Sequence, residues 1–326
     1  MNRDPLHLVD RMLGGDRLAL ARLITLVENR GAGVAAVMKA VHARSLGAYV
    51  VGVTGPPGGG KSTVVDRLIA LLRTEGATVG VVAVDPSSPF TGGAVLGDRI
   101  RMQAHALDPG VFIRSMATRG SLGGLARATR DVSRLLAAFG HGWVLVETVG
   151  VGQTELDIMK LADTTVVVLV PESGDAVQTM KAGLMEAADI FVVNKADRTG
   201  AHGLMAELTF AAHLHYASVT SPKDVDWKIP VLATEAQNGV GVLELLAEIQ
   251  RHRTALEASG AFEARRRARR RVELQTLLVD EVAAAVERHI RGNDLASTLE
   301  QVASGQLDPY SAAQAILARP DLLTSR

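Results

Sequence analysis

The sequence predicts an α/β fold built on a doubly wound, mainly parallel sheet. Three observations carry that expectation. Runs such as VVGVTG, VGVVAVD and TTVVVLV are apolar without alternation, as in strands buried on both faces. Candidate strands near 48–54, 78–84, 111–115, 142–148, 164–170, 189–194 and 229–232 are mostly separated by helix-like segments long enough for parallel crossovers. The first strand runs into a glycine-rich turn that opens a helix.

Three parts follow along the chain. Residues 1–46 read as a helical lead-in. Its helix over 15–29 has Asp16 as cap and Leu18, Leu20, Leu23, Ile24 and Val27 as apolar face, and a second helix follows Gly33. Residues 47–253 hold the α/β core. Residues 254–326 read as a helical arm, with a long charged helix to about Arg291 and a short one started by Asp308-Pro309, a cap followed by proline in the first turn. Of the 326 residues 47% are apolar but only 3% aromatic, so aliphatic side chains must build the core. Lys+Arg and Asp+Glu balance at 35 each, which argues against nucleic-acid or membrane partners. The absence of cysteine excludes disulfides, thiolate metal sites and a cysteine nucleophile. The sequence has no apolar run of about 18 residues, and MNRDPLHLVDRML lacks the apolar stretch of a secretory signal. The expectation is a soluble, cytoplasmic protein.

The turn Gly55-Pro56-Pro57-Gly58-Gly59-Gly60-Lys61-Ser62, with Thr63 after it, fits GxxxxGK[ST] between a strand and a helix. Its glycines let backbone N–H groups surround phosphate oxygens, and the helix end adds positive potential. Lys61 reaches the terminal phosphates and Ser62 is a Mg²⁺ donor. Asn194-Lys195-Ala196-Asp197 follows the strand DIFVV. Asp197 can accept two hydrogen bonds from the imino and amino hydrogens of guanine, a donor pair adenine lacks, and Asn194 can brace the loop. GTP and GDP are therefore the expected nucleotides. Ala233-Thr234-Glu235-Ala236 suits a loop closing on the base, and equally suits an ordinary strand-to-helix turn.

Asp85 ends VGVVAV and opens the loop DPSSPFTGGAVLGD, which Asp98 closes; both acids suit Mg²⁺, and Asp98 also reads as a helix cap. Glu147 stands at the end of WVLV, before Thr148-Val149-Gly150, where nucleotide hydrolases usually carry aspartate. The residue after the glycine is Val151, and the nearest glutamine is Gln153, so Glu147 is the candidate both for Mg²⁺ and for holding the attacking water. Arg99, Arg101 and Arg119 could act as arginine fingers in cis or form surface ion pairs.

The set GPPGGGKST, VDPSSPFTGGAVLGDRIRM, FIRSMATRGSLGGLA, ETVGVGQTE and NKAD, preceded by GDRLALARLITLVEN, resembles the methylmalonyl-CoA mutase-associated GTPases (the MeaB, ArgK and MMAA type, a SIMIBI-class P-loop GTPase family) over nearly the whole chain. The resemblance implies a P-loop GTPase core and a homodimer formed through the carboxy-terminal arm. It implies a chaperone that gates adenosylcobalamin delivery to methylmalonyl-CoA mutase and protects that enzyme. It further implies a partner-sensing switch in PESGDAVQTMK, with Asp175, Gln178 and Lys181 at the matching polar positions. GTP hydrolysis is expected to be slow alone and stimulated by the partner.

Other features read as background. The run RRRARRR at Arg265–Arg271 lacks aromatics and is flanked by Glu263 and Glu273, so a solvated helix face or a protein contact fits better than a nucleic-acid arm. His213 and His215 diverge on a helix, and His105 and His141 read as surface residues. The rivals are a chaperone of another cobalamin-dependent acyl-CoA mutase, a P-loop small-molecule kinase, a nickel-delivery GTPase and a regulator that binds GTP without hydrolysing it. The kinase is disfavoured by NKAD, and the nickel carrier by the lack of cysteine and clustered histidine.

Overall fold

A computed structural model describes residues 4–85, 102–117, 122–148, 161–172, 188–218 and 225–323. The chain divides into two compact units, Met1–Phe262 and Glu263–Arg326.

In the first unit β1 (Tyr49–Thr54), β2 (Val79–Asp85), β3 (Val111–Ala117), β4 (Trp143–Glu147), β5 (Thr164–Leu169), β6 (Ile190–Asn194) and β7 (Val231–Thr234) form one sheet. Its order is β3-β2-β4-β1-β5-β6-β7, and all of its pairings are parallel. Each of the seven valine-rich runs read as a strand is one. Helices α1 (Pro5–Leu13), α2 (Arg17–Glu28), α3 (Val34–Val41), α4 (Lys61–Thr74), α5 (Leu122–Phe139), α6 (Ala201–Ser218) and α7 (Val242–Ser259) cover it.

Strand alternation sorts the core into layers. Val51, Val53, Val81, Leu145, Val166 and Val192 point to the face covered by α4 and α7. Val82, Val84, Val144 and Val146 point the other way, against α1, α2, α3 and α5. Val167, Leu169, Phe191 and Val193 bury beneath α6 on that second face. The lead-in helices are thus part of the core of this unit. The period-2 pattern also puts Glu147 on the α4 side, in phase with Trp143 and Leu145.

In the second unit α8 (Ala261–Arg291) continues from Glu263 and is followed by α9 (Ala296–Ala303) and α10 (Pro309–Leu317). Asp308 caps α10, accepting from the N–H groups of Tyr310 and Ser311 with Pro309 in the first turn. The arginine run lies on α8, where Arg267 and Arg271 are exposed.

Three expectations are corrected. Asp16 does cap α2, but Leu18 is 56% exposed, and Ala19 joins Leu20, Leu23, Ile24 and Val27 in the core. Leu18 shares its side of the helix with Arg22 and Thr25, so its face is the polar one. His141 is 3% exposed, packed between Phe112 and Phe139. His105 is half-buried, its Nε2 3.1 Å from Asp66 Oδ1 on α4. Among the described residues no helix is long and apolar enough to cross a membrane.

Candidate nucleotide site

The order of the sheet fixes where a ligand can sit. The chain leaves β1 toward β2 on one side and later adds β5 on the other, so the carboxyl end of β1 is the topological switch point. The turn 55–60 springs from that point. Gly55 has φ +134°, and a β-carbon there would stand 1.9 Å from the Val168 carbonyl oxygen, so only glycine lets the chain cross β5 this closely. Gly60 caps α4 with φ +82°; a β-carbon there would meet Asn194 Nδ2 at 2.3 Å. Lys61 is the first residue of α4, and its Nζ donates to the carbonyl oxygens of Gly55 (2.8 Å) and Pro56 (2.9 Å). Pro57 and Gly58 are exposed, Gly59 is buried, and Thr63 follows on the first turn of α4.

Ser62 meets the end of β4. Its Oγ donates to Glu147 Oε1 at 2.6 Å, and both side chains are buried, Glu147 being 4% exposed. Beneath them Thr148 Oγ1 donates to Thr54 Oγ1 at 2.9 Å, tying the ends of β4 and β1. A hydroxyl and a carboxylate are hard oxygen donors of the kind Mg²⁺ takes. Among the described residues no group of three or more His, Asp or Glu gathers to cage a metal.

The second half of the site hangs on Asn194, the last residue of β6. Its Nδ2 donates to the Gly59 carbonyl at 2.9 Å, while its Oδ1 accepts from Thr234 Oγ1 (3.0 Å) and the Ala236 N–H (3.1 Å). One side chain therefore joins the glycine-rich turn to the loop after β7. Lys195, at φ +55°, donates from Nζ to the Gly58 carbonyl at 2.9 Å. The Ala196 N–H donates to the Thr234 carbonyl at 3.1 Å. Glu235 pairs with Val240 across the loop. Asp197 is exposed.

The structure thus brings together Gly55–Ser62, Glu147, Asn194, Lys195 and the loop Thr234–Ala236. Asp85 ends β2, and only its backbone is described. Asp98, Asp175, Gln178 and Lys181, with Arg99, Arg101, Arg119, Val151 and Gln153, lie outside the described residues. One contact is not anticipated by the sequence. Arg67 on α4 donates from Nε to the Ala236 carbonyl (3.1 Å) and from Nη2 to the Gln237 carbonyl (2.8 Å). An arginine on an exposed helix flank carries no local signal of such a partner.

The model of the family "Methylmalonyl Co-A mutase-associated GTPase MeaB" matches residues 20–291. The chain belongs to this family. It is 52% identical to a Pyrococcus abyssi protein named for GTPase activity, over 95% of each chain. It is 37% identical to GTPase ArgK of Escherichia coli over 78% of each. A mitochondrial methylmalonic aciduria type A homolog of Caenorhabditis elegans is 32% identical over 94% of this chain and 80% of its own. A solved structure titled LAO/AO transport system kinase superposes with TM-score 0.68 at 28% identity, covering 97% of both chains. The protein is a P-loop GTPase, converting GTP and water to GDP and phosphate.

Proposed function

We propose that this GTPase gates adenosylcobalamin delivery to methylmalonyl-CoA mutase and protects that enzyme, hydrolysing GTP slowly until the mutase completes the site. The family match over residues 20–291 is the observation that carries this reading. The likeness to the methylmalonic aciduria type A homolog supports it.

Within the site, Gly55–Thr63 would hold the phosphates, Asp197 the guanine edge, and Thr234, Glu235 and Ala236 the ring, with Asn194 and Lys195 bracing the loops. Lys61 now serves two loop carbonyls. Those are bonds it can exchange for terminal phosphate oxygens. Ser62, Glu147, Asp85 and Asp98 are the proposed Mg²⁺ donors. When bound, Mg²⁺ supplies neutralisation of the charge spreading over the phosphate oxygens. Because the Ser62 hydroxyl gives its hydrogen to Glu147, its lone pairs stay directed away from that acid. Glu147 in turn offers a fixed acceptor beside the phosphate turn for the attacking water. Asp175, Gln178 and Lys181 would sense the partner, and residues 254–326 would form the homodimer.

Turnover of GTP and of ATP, each with and without adenosylcobalamin-dependent methylmalonyl-CoA mutase, tests the proposal. GTP-selective hydrolysis that rises more than about tenfold with the mutase is expected, below what a completed site can gain. Turnover indifferent to the mutase removes it as the partner and points to another acyl-CoA mutase. The kinase title of the superposed structure keeps one rival in view. Phosphate transfer to an added small-molecule acceptor would support it.

A further inference from the structure

We propose that Arg67 is a positioning residue for the guanine nucleotide, locking the turn that closes on the base to the helix that carries the phosphate loop. The proposal rests on the reading of Thr234–Ala236 as the base loop. Its second support is independent of that reading and lies in a closed ring of contacts. Gly59 in the phosphate turn accepts from Asn194 Nδ2, and Asn194 Oδ1 accepts from the Ala236 N–H. The Ala236 carbonyl accepts from Arg67 Nε at 3.1 Å, and α4 returns from Arg67 to Lys61 and the phosphate turn.

The geometry favours arginine. The Nε and Nη2 hydrogens on one edge of a guanidinium point the same way, and here they meet the carbonyls of consecutive residues, Ala236 and Gln237. Those residues begin a single 3₁₀ turn, Ala236–Asn238. Ala236 is 1% exposed. In a trans peptide the N–H points opposite to the C=O, so holding the Ala236 carbonyl on α4 turns the Gln237 N–H away from α4. That N–H is the kind of donor a purine carbonyl accepts from. Among the described residues no carboxylate lies within ion-pair distance of the Arg67 guanidinium, so surface pairing does not explain its placement.

If the ring acts as a clamp, cutting it frees the base loop and loosens the grip on the base, while the phosphate turn keeps its bonds from Lys61 and Asn194. Arg67→Ala should speed release of a fluorescent GDP analogue about tenfold, with kcat at saturating GTP changed less than about twofold and inhibition by tripolyphosphate, which lacks a base, unchanged. Arg67→Lys offers one ammonium for two carbonyls and should fall between. Wild-type release from Arg67→Ala, or a loss of tripolyphosphate inhibition equal to that of GDP, overturns the proposal. Should the alanine variant not fold, Arg67→Lys decides, and wild-type release from it is the contrary result. Asp197→Asn separates the two readings. If it weakens GDP while Arg67→Ala does not, the clamp fails and the base site stands. If it leaves GDP binding unchanged, the base-site reading itself fails.

Discussion

The two ends of the parallel sheet use their polar side chains in opposite ways. At the carboxyl end the bridging side chains donate mostly to loop carbonyls: Lys61 to Gly55 and Pro56, Asn194 to Gly59, Lys195 to Gly58, Arg67 to Ala236 and Gln237. At the amino end side chains bond one another. Tyr49 Oη meets Thr164 Oγ1 at 2.5 Å, Thr164 Oγ1 meets His252 Nδ1 at 2.8 Å, and His252 Nε2 lies 3.3 Å from Asp189 Oδ1. The Trp227 ring lies tilted against His252 at 4.7 Å and donates to the Asp189 carbonyl, while Arg253 covers Tyr49 and Trp143. Burial pushes the Tyr49 hydroxyl well above its ordinary pKa. Carbonyl bonds in a turn can be traded for a ligand. A buried side-chain network cannot be opened without leaving polar groups unsatisfied. One end is built to exchange partners and the other to hold the fold.

Substitutions that act at only one end break or sharpen this contrast. The largest expected effect is at the ligand end. Lys61→Ala should lower GTP turnover about 10³-fold while leaving the denaturant midpoint unchanged; a large loss of stability would mean the lysine also holds the fold. Next comes His141, near the amino end. Burial first, then the charges of Arg17 and Arg73, push its pKa down from 6.5 to about 4. Neither ring nitrogen has a hydrogen-bond partner among the described residues. The unfolded chain takes up this proton near pH 6.5 and the folded one only near 4. The contribution is therefore complete above pH 6.5 and is lost as pH falls toward 4, about 3 kcal/mol in all. Unfolding curves at about pH 7.5 and about pH 4.5 should show that loss, and His141→Phe should flatten it. A somewhat smaller effect is expected for His252→Leu, about 2 kcal/mol of unfolding free energy, with turnover per folded molecule unchanged. A turnover defect at full folding would tie the amino end to the chemistry.

The strands were legible because a doubly buried strand needs only apolar residues, and VVGVTG or TTVVVLV say so locally. The same holds for Asp16 and Asp308-Pro309, where cap and helix are neighbours in sequence. Asp4-Pro5 opens α1 by that same signal, with Leu8, Val9 and Met12 at helical spacing behind it. Leu18 was misjudged because leucine fits either side of the helix boundary until the register of Ala19, Leu20, Leu23 and Ile24 decides it. His141 and Arg67 were not legible at all. Their surroundings come from Phe112 and from Ala236, far away in the chain, and a polar residue type says nothing about such partners. Of the site, the glycine turn, Glu147 and Asn194 were readable because each sits at a strand end. What joins them, such as the hydrogen bonds of Asn194 on both sides, is a product of the sheet order.

The most direct test of this division is Glu147→Gln, assayed for GTP binding and for single-turnover hydrolysis. Glu147 accepts from Ser62 inside the site and is buried at the exchanging end of the sheet. The expected result is unchanged GTP affinity, an unchanged denaturant midpoint and hydrolysis slowed about 10²-fold. Hydrolysis at the wild-type rate would contradict the assignment of Glu147 to the reacting end of the molecule.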